Sequence, residues 1–159
     1  MKDFLKILAL CYRLGPKRVL SFMKDGKVDL FTRAYKSAEF KRIVEERRQK
    51  SGDFFLLYIE VKDYDHILQK KGEDITEDYL YALVNIITDI SNGIVGRLKK
   101  DTFAVFVESD ENDVISLARA LAREDCQVGL VKMDSSMSLF DALSVSENNL
   151  YRRKVIKAA

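Results

Sequence analysis

Residues 54 to 61, Phe-Phe-Leu-Leu-Tyr-Ile-Glu-Val, form a nearly unbroken apolar run bounded by Ser51-Gly52-Asp53 and by Lys62-Asp63. The run is short for a helix, and its aromatic and branched side chains suit a pleated surface, so it reads as a strand. Because polar residues do not alternate along it, both of its faces must be covered by other layers. That requirement selects a sandwich, a sheet with helices above and below, and makes this segment the expected central strand.

The remaining patterns supply those layers. Phe40, Ile43, Val44 and Arg47 lie at helical spacing before the Ser51-Gly52 break. Residues 63 to 72 read as a short helix ending at Gly72, and Tyr79, Leu80, Leu83, Ile86, Ile87 and Ile90 form the apolar stripe of a longer one, stopped by Asn92-Gly93. Residues 96 to 108, GRLKKDTFAVFVE, then read as a hairpin, Ile94 to Leu98 against Phe103 to Val107. Its turn is made of Lys99, Lys100, Asp101 and Thr102, without the glycine such turns favour. A helix carrying Val114, Leu117, Ala118 and Leu121 follows, capped from Ser109-Asp110, and then a strand at 127–131. Ser138 and Asp141 form a capping box that opens a last helix through Leu139, Leu143 and Leu150 to about Tyr151. The sum is an α+β sandwich whose mainly antiparallel sheet has about five strands flanked by helices. The expected domain layout is an N-terminal helical segment, 1–27, and one sheet domain, 28–159.

A length of 159 residues suits one domain with one substantial core. Hydrophobic residues make up 47% and charged residues 33%, a globular balance, and the net charge of +2 gives no global attraction to nucleic acid or anionic membrane. Cys11 and Cys126 are the only cysteines, far apart and outside any CxxC spacing, so neither a disulfide framework nor a zinc site is expected and a reducing cytoplasm fits. The opening apolar run is broken by Lys6 and Arg13, and no stretch reaches membrane-spanning length.

P-loop, HExxH and GxSxG patterns are absent, and the single histidine, His66, is expected on a helix surface. The chemistry-bearing candidates are Glu60, at the end of the apolar strand, and Asp101, at the hairpin tip. Carboxylates converging at strand ends suit Mg²⁺, which prefers hard oxygen ligands and bridges phosphates.

In its order of segments, the chain resembles the GGDEF domain of diguanylate cyclases over roughly residues 28 to 157. The family's DxLTGLxNRR is echoed by DLFTRAYKSA (29–38), where Asp29, Thr32 and Tyr35 match while Arg33 and Lys36 stand at the Gly and Asn positions. EVKDYD (60–65) aligns with the DxDxFK-type motif, and SENNLYRRK keeps Leu150, Tyr151 and Lys154 of ADxALYxAK. The signature falls on KKDTF: Lys99 and Lys100 replace two glycines, Thr102 replaces the glutamate, and Asp101 and Phe103 match.

The resemblance implies a nucleotidyl-cyclase-like fold and an ancestry in enzymes that join two GTP molecules into cyclic di-GMP. It assigns metal ligands to Glu60, the Val61 carbonyl and Thr102, of which Thr102 is a neutral hydroxyl, and places Lys62 at the next acidic position. It assigns base reading to Leu68 and Glu77, of which only Glu77 is polar, and a triphosphate contact to Lys154; the arginine expected after it is Ala158. The lysine pair restores side chains where glycine would let a nucleotide pass closely. Ile90 to Gly93 lack the Arg and Asp of the family's inhibitory RxxD.

The expected function is therefore a degenerate, catalytically inactive GGDEF domain acting in the cytoplasm as a regulatory or protein-interaction module. No cofactor is required, and Mg²⁺ enters only with a nucleotide. Input is expected from a protein partner or a second copy of the chain. The alternatives are a weakly active cyclase or a nucleotide-binding or hydrolysing domain that retains GTP, and a nucleic-acid contact through the Gly15-Pro16 helical hairpin of 8–23.

Overall fold

The computed structural model describes residues 12, 15, 17, 26–50, 52–123 and 125–158, with the side chains of 151–158 left aside. Apart from residues 12, 15 and 17, the N-terminal helical hairpin expected over 8–23 thus lies outside the described residues. From residue 26 onward the order is β1 (Tyr35–Lys36), α1 (Ser37–Arg47), β2 (Phe54–Val61), α2 (Tyr64–Lys71), α3 (Glu73–Ser91), β3 (Ile94–Lys99), β4 (Thr102–Glu108), α4 (Glu111–Arg123), β5 (Cys126–Met133) and α5 (Leu139–Ala158).

The strands form one sheet in the order β1-β3-β4-β2-β5. All neighbours are antiparallel except β1, a two-residue strand that the sequence pattern did not mark and that runs parallel to β3. The middle of the sheet is β4, which corrects the expectation for β2. The physical basis of that expectation holds nonetheless, since β2 is internal, paired along its length with both β4 and β5, and covered on both faces.

Strand alternation sends the two sets of side chains into separate cores. Phe55, Leu57, Ile59 and Val61 pack with Phe103 and Val105 under α3 and α4. Phe54 and Leu56 pack with Ala104 and Phe106 under α1 and α5, where Phe40, Val44, Leu139 and Ala142 are buried. Fully burying a side chain of this size stabilises the fold by about 1.5–3 kcal/mol, so a strand with two filled faces is a principal source of stability.

Close approach of the outer layers depends on small residues in the strands. A Cβ at Gly129 of β5 would sit 1.8 Å from the Ser146 carbonyl oxygen of α5, and one at Gly96 of β3 would sit 2.4 Å from the Phe40 ring of α1. Helix ends follow the expected chemistry. Asn92 closes α3 in the left-handed region with φ 50°, and Ser138 and Asp141 form the capping box of α5, the Asp141 amide donating to Ser138 Oγ at 3.0 Å. That last helix runs beyond Tyr151, to Ala158.

The apolar stripe of α3 is rotated from the expected one. Thr76, Leu80, Leu83, Val84, Ile87 and Ser91 are buried, whereas Ile86 and Ile90 are 42% and 51% exposed. Isoleucines on both flanks of a helix cannot all reach a flat sheet. The face that docks is set by contact with β3 and β4, and Thr76 and Ser91 reach buried positions because their hydroxyls are satisfied locally: Thr76 Oγ1 donates to the Gly72 carbonyl at 2.7 Å, and Ser91 Oγ accepts from the Gly93 amide at 3.0 Å.

Candidate functional site

The candidate residues meet at one end of the sheet, where β2 finishes and the β3–β4 turn folds beside it. Glu60 and Thr102 are direct cross-strand partners, and the Val61 amide donates to the Asp101 carbonyl at 2.9 Å. Glu60, Val61, Asp101 and Thr102 are therefore neighbours, as the sequence suggested. Thr102 is buried, and its hydroxyl donates to Asp101 Oδ1 at 3.0 Å. Phe103 is fully buried in the core.

The turn closes without glycine for a geometric reason. Neither Lys100 nor Asp101 has a positive φ, so the turn is not of the glycine-demanding mirror type. A register shift between Arg97 and Lys99 leaves Leu98 as an extra residue in β3, and the strands reach Lys99 and Thr102. The hairpin thus runs slightly further than the sequence pattern indicated.

The two lysines point to opposite faces of the sheet. Lys99 Nζ lies 3.4 Å from the Tyr58 hydroxyl and 3.5 Å from Glu147 of α5. Tyr58 donates to that same Glu147 oxygen at 2.9 Å. Burial, reinforced by the hydrogen bond and charge of Glu147, pushes the Tyr58 phenol up to about 12, while its hydrogen bond with Tyr58 and the Glu147 charge raise the Lys99 ammonium. On the other face, Lys100 Nζ bonds Asp65 of α2 at 2.6 Å and lies 5.2 Å from the centre of the Tyr64 ring. The pair therefore ties the hairpin tip to the helical layer on each side.

Between the lysines and the β1 loop lies a residue that the motifs did not single out, Arg97. Its Nη1 donates to Asp29 Oδ1 at 3.1 Å and to Glu77 Oε2 at 3.0 Å, and its Nη2 donates to Glu77 Oε1 at 3.1 Å and to the Lys100 carbonyl at 2.8 Å. The side chain is only 12% exposed. Burial opposes its charge, but the hydrogen bonds to Glu77 and the charges of Asp29 and Glu77 outweigh that cost and raise its affinity for the proton. The signal in the sequence was an arginine in a strand whose alternation points it toward a helix rich in acids and lacking basic residues, Glu73–Ser91. Glu77, the expected base-reading residue, is thus engaged bidentately by the chain itself.

Asp29 also accepts from the Thr32 amide and hydroxyl at 2.9 and 2.7 Å. Arg33, at the glycine position of that motif, has φ 66°, so the backbone keeps a conformation that glycine adopts without strain. Leu68 lies partly buried against the core under α3, and the Lys62 amide bonds the Asp125 carbonyl. The backbone of Lys154 lies in α5, and its side chain falls outside the described residues. His66 is exposed on α2. Ile90 to Gly93, at the inhibitory-motif positions, form the end of α3 and the turn that follows it.

Two Mg²⁺ ions would need a set of hard, charged oxygen donors at this end of the sheet. Glu60 supplies a carboxylate and Val61 a carbonyl, but Thr102 supplies a neutral hydroxyl whose proton is directed at Asp101. Among the described residues there is no group of three or more His, Cys, Asp or Glu arranged to hold a metal ion. The donor set of Glu60, the Val61 carbonyl and Thr102 does not fit a two-metal centre. Among the described residues no helix is long and apolar enough to cross a membrane.

The family model described as diguanylate cyclase, GGDEF domain, matches residues 23–144. No curated protein sequence matches the chain at a significant level. Solved structures match throughout. The S helix-GGDEF-EAL portion of Vibrio cholerae LapD, bound to c-di-GMP, superposes with a TM-score of 0.75 at 14% identity, over 93% of this chain and 39% of that one. The coiled coil and GGDEF domain of Caulobacter crescentus DgcB, in complex with c-di-GMP, gives 0.74 at 12% identity, covering 97% of this chain and 93% of the other. Diguanylate cyclase SiaD of Pseudomonas aeruginosa, in complex with its activator SiaC, gives 0.71 at 13% identity, covering 97% and 70%. This chain spans well under half of the LapD portion. At these identities the likeness is one of fold.

Proposed function

The chain belongs to the diguanylate cyclase GGDEF domain family, and we propose that within it this chain is a non-catalytic member serving as a signalling or protein-interaction module. The observation that carries the proposal is the pairing of Glu77, the expected base-reading acid, with a cation of the chain itself, beside two further ion pairs at the hairpin tip. Glu77 is held by Arg97, Asp65 by Lys100 and Glu147 by Lys99. A guanine edge seeking Glu77 would have to displace a largely buried, bidentate guanidinium, and charge-assisted bonds of this kind are roughly twice as strong as neutral ones. The loss of the signature carboxylate at Thr102 points the same way, because a transferring phosphoryl group needs metal charge that a hydroxyl does not anchor.

A module of this kind acts through contact. Its proposed setting is the cytoplasm and its proposed partner a protein or a second copy of the chain, a use for which SiaD with its activator offers a parallel within the fold. The test is incubation of the purified chain with GTP and Mg²⁺ or Mn²⁺, with chromatographic detection of cyclic di-GMP. No product is expected. Product formation that disappears in Glu60→Ala would overturn the proposal.

A further inference from the structure

Four acceptors surround the Arg97 guanidinium: both oxygens of Glu77, Oδ1 of Asp29 and the carbonyl of Lys100. They come from three separate places in the chain, namely α3, the loop before β1 and the hairpin turn. Each terminal nitrogen bonds two of them, so both hydrogens of Nη1 and both of Nη2 are used. The Phe103 ring closes the remaining side, its centre 5.9 Å from the guanidinium carbon. Asp29 and Glu77 are only 22% and 17% exposed, so neither acid would be well hydrated without the cation. Asp29 is in turn oriented by the Thr32 amide and hydroxyl.

A planar cation met by four acceptors at its two terminal nitrogens and by a ring is the arrangement of a receptor. We propose that Glu77, Asp29 and the Lys100 carbonyl form a built receptor for a planar guanidinium, and that Arg97 is its intramolecular ligand. The side chain does more than neutralise charge. By filling the receptor it withholds Glu77 from outside donors and locks the turn carbonyl to α3 and to the β1 loop. A lysine would not replace it, because a single ammonium cannot span the carboxylate and the carbonyl at once.

The ligand can be supplied in trans. Arg97→Ala empties the receptor, and guanidinium chloride at up to about 50 mM should then raise the melting temperature of the variant by roughly 2–4 °C over the same concentration of sodium chloride. The wild type, whose receptor is full, should show no rise. The double variant Arg97→Ala with Glu77→Gln should also show none, and a rise there would overturn the proposal, as would an Arg97→Ala variant that responds to the two salts alike. If Arg97→Ala does not accumulate as folded protein, Arg97→Lys keeps the charge and carries the test: a melting temperature below that of the wild type is expected, and equality overturns the proposal. In the folded variants, faster hydrogen exchange at the Val61 amide, which bonds the adjacent Asp101 carbonyl, should report the released turn. The readout is stability, so the two proposals fail separately: cyclase activity in the wild type would overturn the non-catalytic role without touching the receptor, and indifference to guanidinium would do the reverse.

Discussion

Gly129→Ala should be among the most damaging single-methyl changes available in this protein. The new Cβ would lie 1.8 Å from the Ser146 carbonyl oxygen, 2.9 Å from its carbonyl carbon and 3.1 Å from the Leu150 amide nitrogen. All three are backbone atoms, so no side chain can rotate away, and α5 as a whole must move. Ordinary contact begins near 3.4 Å, so the helix must retreat by about 1.6 Å, enough to forfeit a large part of the dispersion contact across the interface. Leu150 and Ala142 would lose close packing, and the bond from Asn149 Nδ2 to the Leu130 carbonyl, 2.9 Å, would stretch beyond use. Overpacking costs about 1–3 kcal/mol and the lost hydrogen bond about 1 kcal/mol, for a total of about 2–4 kcal/mol. In a chain of this length that corresponds to a fall of roughly 4 to 16 °C in melting temperature. Urea unfolding followed by circular dichroism provides the free energy, and the slope should be unchanged because the native fold is the same. The contrasting variant is Gly72→Ala. Nothing lies within 4 Å of its added Cβ, but φ 84° with ψ 168° is a region essentially confined to glycine, so a loss of about 1–3 kcal/mol from local backbone strain alone, with no displacement of a helix, is expected. A Gly129→Ala protein within about 0.5 kcal/mol of wild type would refute the packing argument.

Other outcomes follow from particular contacts. Ile87→Ala should cost about 2–5 kcal/mol and Ile86→Ala less than about 1 kcal/mol, since one is fully buried and the other 42% exposed; equal losses in urea unfolding would contradict the orientation of α3. The Tyr58 phenol is raised to about 12 from its ordinary value of 10.0, so its contribution to stability is fully present below the unfolded value and is lost as pH rises between the two. Thermal melts should therefore fall more steeply with alkaline pH in the wild type than in Tyr58→Phe. Lys99→Ala and Lys100→Ala remove exposed pairs and should each cost less than about 1 kcal/mol, a loss that added salt diminishes.

Much of the architecture was legible because local patterns and global packing agree. The buried run at 54–61, the stripe of Val114, Leu117, Ala118 and Leu121, the Asn92-Gly93 stop and the Ser138–Asp141 box are short-range signals, each set by propensity, periodicity or a hydrogen bond within a few residues. The same holds for part of the site: Glu60 and Asp101 flank elements that the hydrophobic pattern already defines. Ile86 and Ile90 lie off the docked face because α3 carries apolar residues around more than half its circumference, and helical period alone does not select the face that docks.

What the sequence determined by itself was the layered plan, two helical covers over a sheet whose internal strand is apolar on both faces, together with the positions of the altered signature, Lys99, Lys100 and Thr102. Tertiary structure decided what those residues do. The side of the sheet that each lysine faces depends on the register shift at Leu98, and the acids they meet, Asp65 and Glu147, lie 35 and 48 residues away in sequence. The same is true of Arg97, whose partners Asp29 and Glu77 are 68 and 20 residues distant. Pairing of charges across such separations leaves no periodic trace in a sequence, because it is fixed only when strand register and helix docking bring the groups within hydrogen-bond reach.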